Sequence, residues 1–284
     1  MEVFLMKKSL YAVLIVVLLI VFGISAFFVG RYVLESREQA NRFDELSQMK
    51  DQAASTTEAP QPETKPETPT PEAPQPTEPE PTVSPTTADG ILTEYAGLYE
   101  MNPDMVGWIK IEGTKVDYPV MQTPNNTDYY LDKSFDKAYS SHGCIYAREV
   151  CDVNLPSDNI TIYGHNMLDG SMFAALHKYE SKDFWEENRL IVFDTLKERH
   201  VYEIFAVFKT SANIGEGFSY HKFVDAANEK EFDDFVSTCK DLGKKYYYDT
   251  GITPKYGDKL ICLSTCEYSL GDNGRLVVAA VRIS

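Results

Sequence analysis

Three patterns of apolar and polar positions follow one another along the chain. Leu10–Gly30 (LYAVLIVVLLIVFGISAFFVG) is apolar and uncharged throughout. At about 1.5 Å of rise per residue it spans roughly 30 Å as a helix, the thickness of a bilayer's hydrocarbon core. The apolar stretch of a secretion signal runs only ~7–15 residues. The segment therefore reads as an uncleaved anchor over 10–30, although Gly23-Ile24-Ser25-Ala26 resembles a cleavage site. Residues 31–54 turn polar and read as a helical stalk. Residues 55–89 are dominated by Pro, Thr, Glu, Ala and Gln, and ten of the 15 prolines fall between Pro60 and Pro85. Such a composition cannot bury enough apolar surface to offset chain entropy, and proline with self-repelling glutamate favours an extended spacer.

Residues 90–284 have the pattern of one globular domain. Eight short runs have strand length and strand composition. They are Gly107–Ile111, Val116–Met121, Gly143–Ala147, Asn159–Tyr163, Arg189–Asp194, His200–Thr210, Lys259–Ser264 and Gly274–Ile283. Gly, Pro, Asn and Asp separate them, so the expected class is mainly β, a barrel or sandwich. The helices predicted are fewer. Ile91–Met101 leads into the domain, while Ser171–Tyr179 and Ser181–Glu187 each open on a serine suited to an N-cap. Asp225–Leu242 carries Phe232, Phe235, Val236, Cys239 and Leu242 largely on one face, and lies between the sixth and seventh strands.

Charge and chemistry narrow the picture. Net charge is −16, which argues against a nucleic-acid partner. Lys7 and Lys8 precede the apolar run but Arg31, Arg37 and Arg42 follow it, so the charge count leaves its orientation open. The N-terminus is expected inside, with the globular part outside the cell. Five cysteines leave at least one thiol free, and with no C-x-x-C pair a structural zinc site is not expected. Cys239 reads as a core thiol, and Cys144 with Cys151 could close a hairpin. Cys266 differs: it ends an apolar strand and meets a polar stretch, where a rigid sheet presents it to substrate. His165, in Tyr163-Gly164-His165-Asn166-Met167, follows another strand beside a glycine that permits an unusual turn. The other four histidines read as surface or structural residues. Arg275 opens the last strand, nine residues after Cys266, at the same end of an antiparallel pair. A guanidinium there can hold an oxyanion.

These positions resemble the sortases, membrane-anchored cysteine transpeptidases of Gram-positive bacteria. The family pattern T-L-x-T-C, followed by Arg on the next strand, is matched by Cys262-Leu263-Ser264-Thr265-Cys266 and Arg275, with Cys262 in place of the first Thr. His165, Asn102–Ile111 and Tyr118–Gln122 are also typical. Gly164–Phe173, Cys266-Glu267-Tyr268 and the long helix before the seventh strand resemble class B. The resemblance implies an eight-stranded sortase-type barrel over 90–284. It implies Cys266 as nucleophile, His165 as general acid and base, and Arg275 as carbonyl or oxyanion ligand, with the Glu267 N–H as a second donor. It places Leu131, Tyr220, Ser264, Thr265 and Glu267 against the sorting motif of a surface protein. The acceptor would be an amine of peptidoglycan or its lipid-linked precursor, or a pilin lysine. No metal and no cofactor are expected, and the location would be the cell membrane facing the wall.

Other readings stay open at this level. Ser134-Phe135-Asp136-Lys137 matches S-x-x-K and Ser211-Ala212-Asn213 matches S-x-N, the marks of a penicillin-binding serine transpeptidase. Its K-T-G is missing, Lys255-Tyr256-Gly257 being nearest. A papain-like hydrolase runs Cys before His, the reverse of the order here. A wall-binding scaffold without activity would need none of the Cys, His and Arg.

Overall fold

The computed structural model describes residues 2–57, 85–213 and 215–284, which fall into two compact units, 1–44 and 45–284. In the first, α1 (Glu2–Thr57) is helical through the whole apolar run, and every side chain from Val13 to Gly30 is exposed. Mean hydropathy in its most apolar 18-residue window is 3.0, so by length and composition this helix can cross a membrane. The second unit starts with the last turns of α1. Leu46 is fully buried there, and the Lys50 ammonium lies 4.7 Å over the Trp108 ring and 3.4 Å from Asp117. The stalk predicted for 31–54 therefore ends as part of the folded body, packed on the first two strands.

The spacer predicted for 55–89 lies outside the described residues over 58–84. Its first three residues complete α1, and its last five are tied into the domain. Thr86 pairs with Leu92, and the Thr87 N–H donates to the Ile91 carbonyl at 2.7 Å.

All eight predicted strands form. They are β1 (Met105–Lys110), β2 (Asp117–Met121), β3 (Ile145–Ala147), β4 (Asn159–Tyr163), β5 (Leu190–Thr195), β6 (Val201–Ser211), β7 (Leu260–Cys266) and β8 (Gly274–Arg282). They close into a barrel in the order β1-β2-β3-β4-β7-β8-β6-β5. The β2–β3 and β4–β7 pairs are parallel and the rest antiparallel. Short connections join the antiparallel pairs β1–β2, β5–β6 and β7–β8, whereas β1–β5, β6–β8 and the parallel pairs join segments more distant along the chain. α2 (Thr93–Met101) precedes β1, α3 (Lys182–Glu187) lies between β4 and β5, and α4 (Glu229–Tyr246) lies between β6 and β7.

β7 is buried on both faces up to Thr265. Ile261 and Leu263 alternate with Leu260 and Cys262, and the latter two join Val277, Ala279 and Val281 of β8 beneath α4. Phe232, Phe235, Val236 and Cys239 of α4 supply the covering face, as the 3.6-residue spacing predicts. The helix starts four residues later than its apolar pattern suggests. Asp225 and the Ala226 N–H are spent on Asp158 instead, leaving Asn228 to cap α4 by accepting from the Glu231 N–H. Acidic residues in its first turn and Lys244 and Lys245 in its last suit the helix dipole. Ser181 caps α3 as predicted, whereas Ser171 caps nothing: its hydroxyl donates to Asp169, and the following segment is a 3-10 helix, Phe173–Glu180, preceded by Met172 at φ 54°.

Candidate active site

The cover provided by α4 ends before β7 does. Leu260, Cys262, Ser264 and Cys266 share the outer face of β7, since alternate residues of a strand point the same way. Leu260 and Cys262 lie under α4, Ser264 lies under Tyr220, and Cys266 emerges partly exposed. Burial pushes the thiols of Cys144, Cys151, Cys239 and Cys262 up, and all four are free and enclosed. Of the five cysteines only Cys266 can reach solvent. Cys144 and Cys151 are not joined.

Arg275 is the register partner of Cys266 on β8. The Glu267 N–H donates to the Gly274 carbonyl at 3.0 Å, making 267–274 a hydrogen-bonded pair. In an antiparallel ladder the neighbouring pair, Cys266 and Arg275, is then the non-hydrogen-bonded kind, with its side chains closest together. Gly274 is needed there, because a Cβ would stand 2.0 Å from the Glu267 carbonyl. One Arg275 N–H reaches back to the Gly274 carbonyl at 2.8 Å, and the guanidinium keeps further donors. The Glu267 N–H, expected as an oxyanion donor, is used by the sheet, which continues one residue beyond the cysteine. The Glu267 carboxylate is buried against Lys209 at 3.1 Å and accepts from the Ser269 N–H. Burial alone would raise its pKa, but those bonds hold it below the usual carboxylate range.

His165 follows β4, the parallel neighbour of β7. Gly164 precedes it for want of space rather than for an unusual φ. A Cβ would come within 2.5 Å of Ile145 and 2.7 Å of the Phe173 ring. The His165 carbonyl is fixed by the Phe173 N–H, and its Nε2 lies 2.7 Å from the Leu131 carbonyl. A carbonyl only accepts, so Nε2 carries the proton and Nδ1 is the nitrogen free to exchange one. The group orienting this imidazole is thus a backbone oxygen, which no side-chain motif could have revealed.

His165, Cys266 and Arg275 line one cavity of about 310 Å³ together with Leu131, Tyr220, Ser264 and Thr265. Glu267 is not on its wall. The Tyr220 hydroxyl shares a 2.6 Å hydrogen bond with Ser264, and burial pushes its phenol up to about 12. Asp128, Tyr146, Tyr163 and His221 also line the cavity, and no motif in the sequence points to any of them. Tyr146 donates to Asp128 at 2.8 Å. Burial, then the charges of Arg148, Lys222 and Arg275, lower the His221 pKa and disfavour its charged form. Two other histidines have closer company than their sequence context suggested. His142 is buried 3.1 Å from Asp169, and His177 lies 3.1 Å from the carbonyl of Cys266.

The serine-enzyme pattern does not converge. Ser134 and Lys137 form a tight turn, with Lys137 at φ 64° and its ammonium 2.8 Å from Asp104. The Ser211 hydroxyl is turned to Glu216.

Residues 109–283 match the family model of the sortase domain. Sortase B of Listeria monocytogenes is 32% identical over 186 residues, covering 65% of this chain and 72% of that protein. Sortase B of Staphylococcus aureus is 27% identical over 190 residues, covering 67% and 74%. Among solved structures, sortase B from Bacillus anthracis superposes with a TM-score of 0.66 at 26% identity, over 88% of this chain and 99% of that one. A Staphylococcus aureus sortase B–substrate complex shares the fold, with a TM-score of 0.69 at 23% identity over 88% and 99%. With a closed eight-stranded barrel, a long helix ahead of β7 and one reachable cysteine at its end, the chain belongs to the sortase family of cysteine transpeptidases, class B.

Proposed function

We propose that the protein cleaves a C-terminal sorting motif of surface proteins through a thioester on Cys266 and passes the acyl group to an amine of peptidoglycan or its lipid-linked precursor. The observation that carries this is the meeting of Cys266, its cross-strand partner Arg275 and His165 on one cavity. The Cys266 thiol passes its proton to Nδ1 of His165, and the thiolate attacks the scissile carbonyl to form the C–S bond. Arg275 donates hydrogen bonds to the oxygen as charge builds on it. When the C–N bond breaks, His165 gives its Nδ1 proton to the departing amine. The acceptor amine then attacks the thioester and loses a proton to the same nitrogen. The new amide forms and the thiolate leaves.

Leu131, Tyr220, Ser264 and Thr265 form the groove for the motif. Glu267 serves from behind the strand by bracing the turn after Cys266. The Leu10–Gly30 helix anchors the protein in the membrane with its N-terminus inside, and the folded body faces the wall.

The full chain in detergent, wild type and Cys266→Ala, is incubated with a sorting-motif peptide library and an amine acceptor, then analysed by mass spectrometry. An acyl adduct on Cys266 of the wild type alone is expected. An adduct on the alanine variant overturns the assignment. So does the lack of any adduct in a wild type whose Cys266 alkylates no faster than in the unfolded chain.

A further inference from the structure

The sheet leaves one carbonyl beside the nucleophile without a backbone partner. Along the parallel β4–β7 ladder the Gly164 N–H donates to the Ser264 carbonyl at 3.1 Å. The next rung belongs to the carbonyl of Cys266, but β4 has ended and the chain has turned aside to carry His165. Side chains take over. Asn166 Nδ2 donates to the Cys266 carbonyl at 3.1 Å. His177 Nε2 lies 3.1 Å from the same oxygen and 3.1 Å from Asn166 Nδ2. On the other side of the ring, Nδ1 is 2.7 Å from Glu180 Oε1.

The proton positions follow from the partners. A carboxylate only accepts, so Nδ1 of His177 carries a hydrogen. Nε2 then has two options. Bare, it accepts from Asn166; protonated, it donates to the Cys266 carbonyl. The three atoms are equidistant, so a proton on Nε2 exchanges one hydrogen bond for another with little motion. We propose that Glu180, His177 and Asn166 form a positioning relay that holds the peptide plane of Cys266 and adds a second donor to its carbonyl when His177 is protonated. The relay rests on Cys266 being the nucleophile.

The plane of that peptide sets where the sulfur points relative to Arg275, and beyond it only the Glu267–Gly274 bond continues the strand. A cationic ring at the cysteine's own carbonyl also favours the thiolate. Other titratable groups nearby do not compete for the role. Tyr247, at the end of α4, is pushed up by burial and then by the charge of Glu180, so its phenol stays neutral. Glu267 is held by Lys209.

The test follows the rate of Cys266 alkylation by iodoacetamide from pH 5 to 9, read by mass spectrometry on the full chain in detergent. Wild type is compared with His177→Ala, His177→Gln and Glu180→Gln. Loss of the cation should slow alkylation near pH 6 by about 5–10-fold in the alanine variant. Glutamine can donate to the carbonyl but cannot titrate. It should alkylate faster than the alanine variant near pH 6 and remove the low-pH inflection. Glu180→Gln keeps the ring and should shift that inflection, so the relay stays testable if His177→Ala fails to fold. Profiles that superimpose on wild type, or that fall uniformly with no change of shape, overturn the relay. The acyl adduct on Cys266 is measured in the same samples. Its presence alongside unchanged profiles sinks the relay alone, whereas its absence from the wild type as well sinks the nucleophile assignment.

Discussion

Cys262 and Cys266 stand on the same face of the same strand, four residues apart, and are chemically identical. One is fully enclosed beneath α4, its thiol pushed up by burial; the other opens on a cavity opposite an arginine. What separates them is cover. The helix that completes the outer core stops short of the end of β7, and the uncovered residues become the site. A strand can thus be structural along most of its length and chemical at its tip.

The largest test of that division is Arg275→Ala. Removing a donor aimed at an oxyanion costs about 10²–10³-fold in kcat. At the uncovered end this loss should come with a melting temperature close to wild type. A fall in stability comparable to a core mutation would erase the distinction. Gly164→Ala works in the opposite direction. Its Cβ must displace Phe173 and Ile145, an overpacking of about 1–3 kcal/mol, and the displaced chain carries His165. Stability and kcat should therefore fall together, as read by thermal melts and single-turnover acylation. Cys262→Ala belongs to the covered end. It should lose about 1–2 kcal/mol to a small cavity, with kcat/KM within twofold of wild type. A rate loss of tenfold would mean that the two ends are not separable.

The smallest effect concerns Glu267, which braces the turn after Cys266. Its folded-state pKa is depressed, so its contribution is present above the unfolded value, near 4.5, and disappears as pH falls through the lower folded value. Wild type should exceed Glu267→Gln in melting temperature at pH 7, and the two curves should converge under acid. Parallel curves down to pH 3 would show that the carboxylate's charge adds nothing.

The strands were legible because each is a short apolar run closed by turn residues, and the barrel buries both faces of most of them. Cys266, Arg275 and His165 were legible because each sits at the end of such a run. What escaped was set by pairings distant in sequence. Asp225 looks like the start of a helix until Asp158, 67 residues earlier, takes its side chain. His177 looks like an ordinary helical histidine until the parallel β4–β7 pairing sets Asn166 and the end of β7 beside it. Gly164 drew notice for the wrong reason: it answers a crowding between Ile145 and Phe173 that no local pattern announces.

The ring closes through the pairing of β1 with β5, so the described sheet has no free edge. Many peptide-binding enzymes and adaptors take their partner by β-augmentation, hydrogen-bonding an extended peptide to an edge strand whatever its sequence. That route is shut here. A polypeptide arriving at this barrel finds no free edge strand along which to extend the sheet. On the proposed function, recognition of a sorting motif then rests on the side chains that line the cavity.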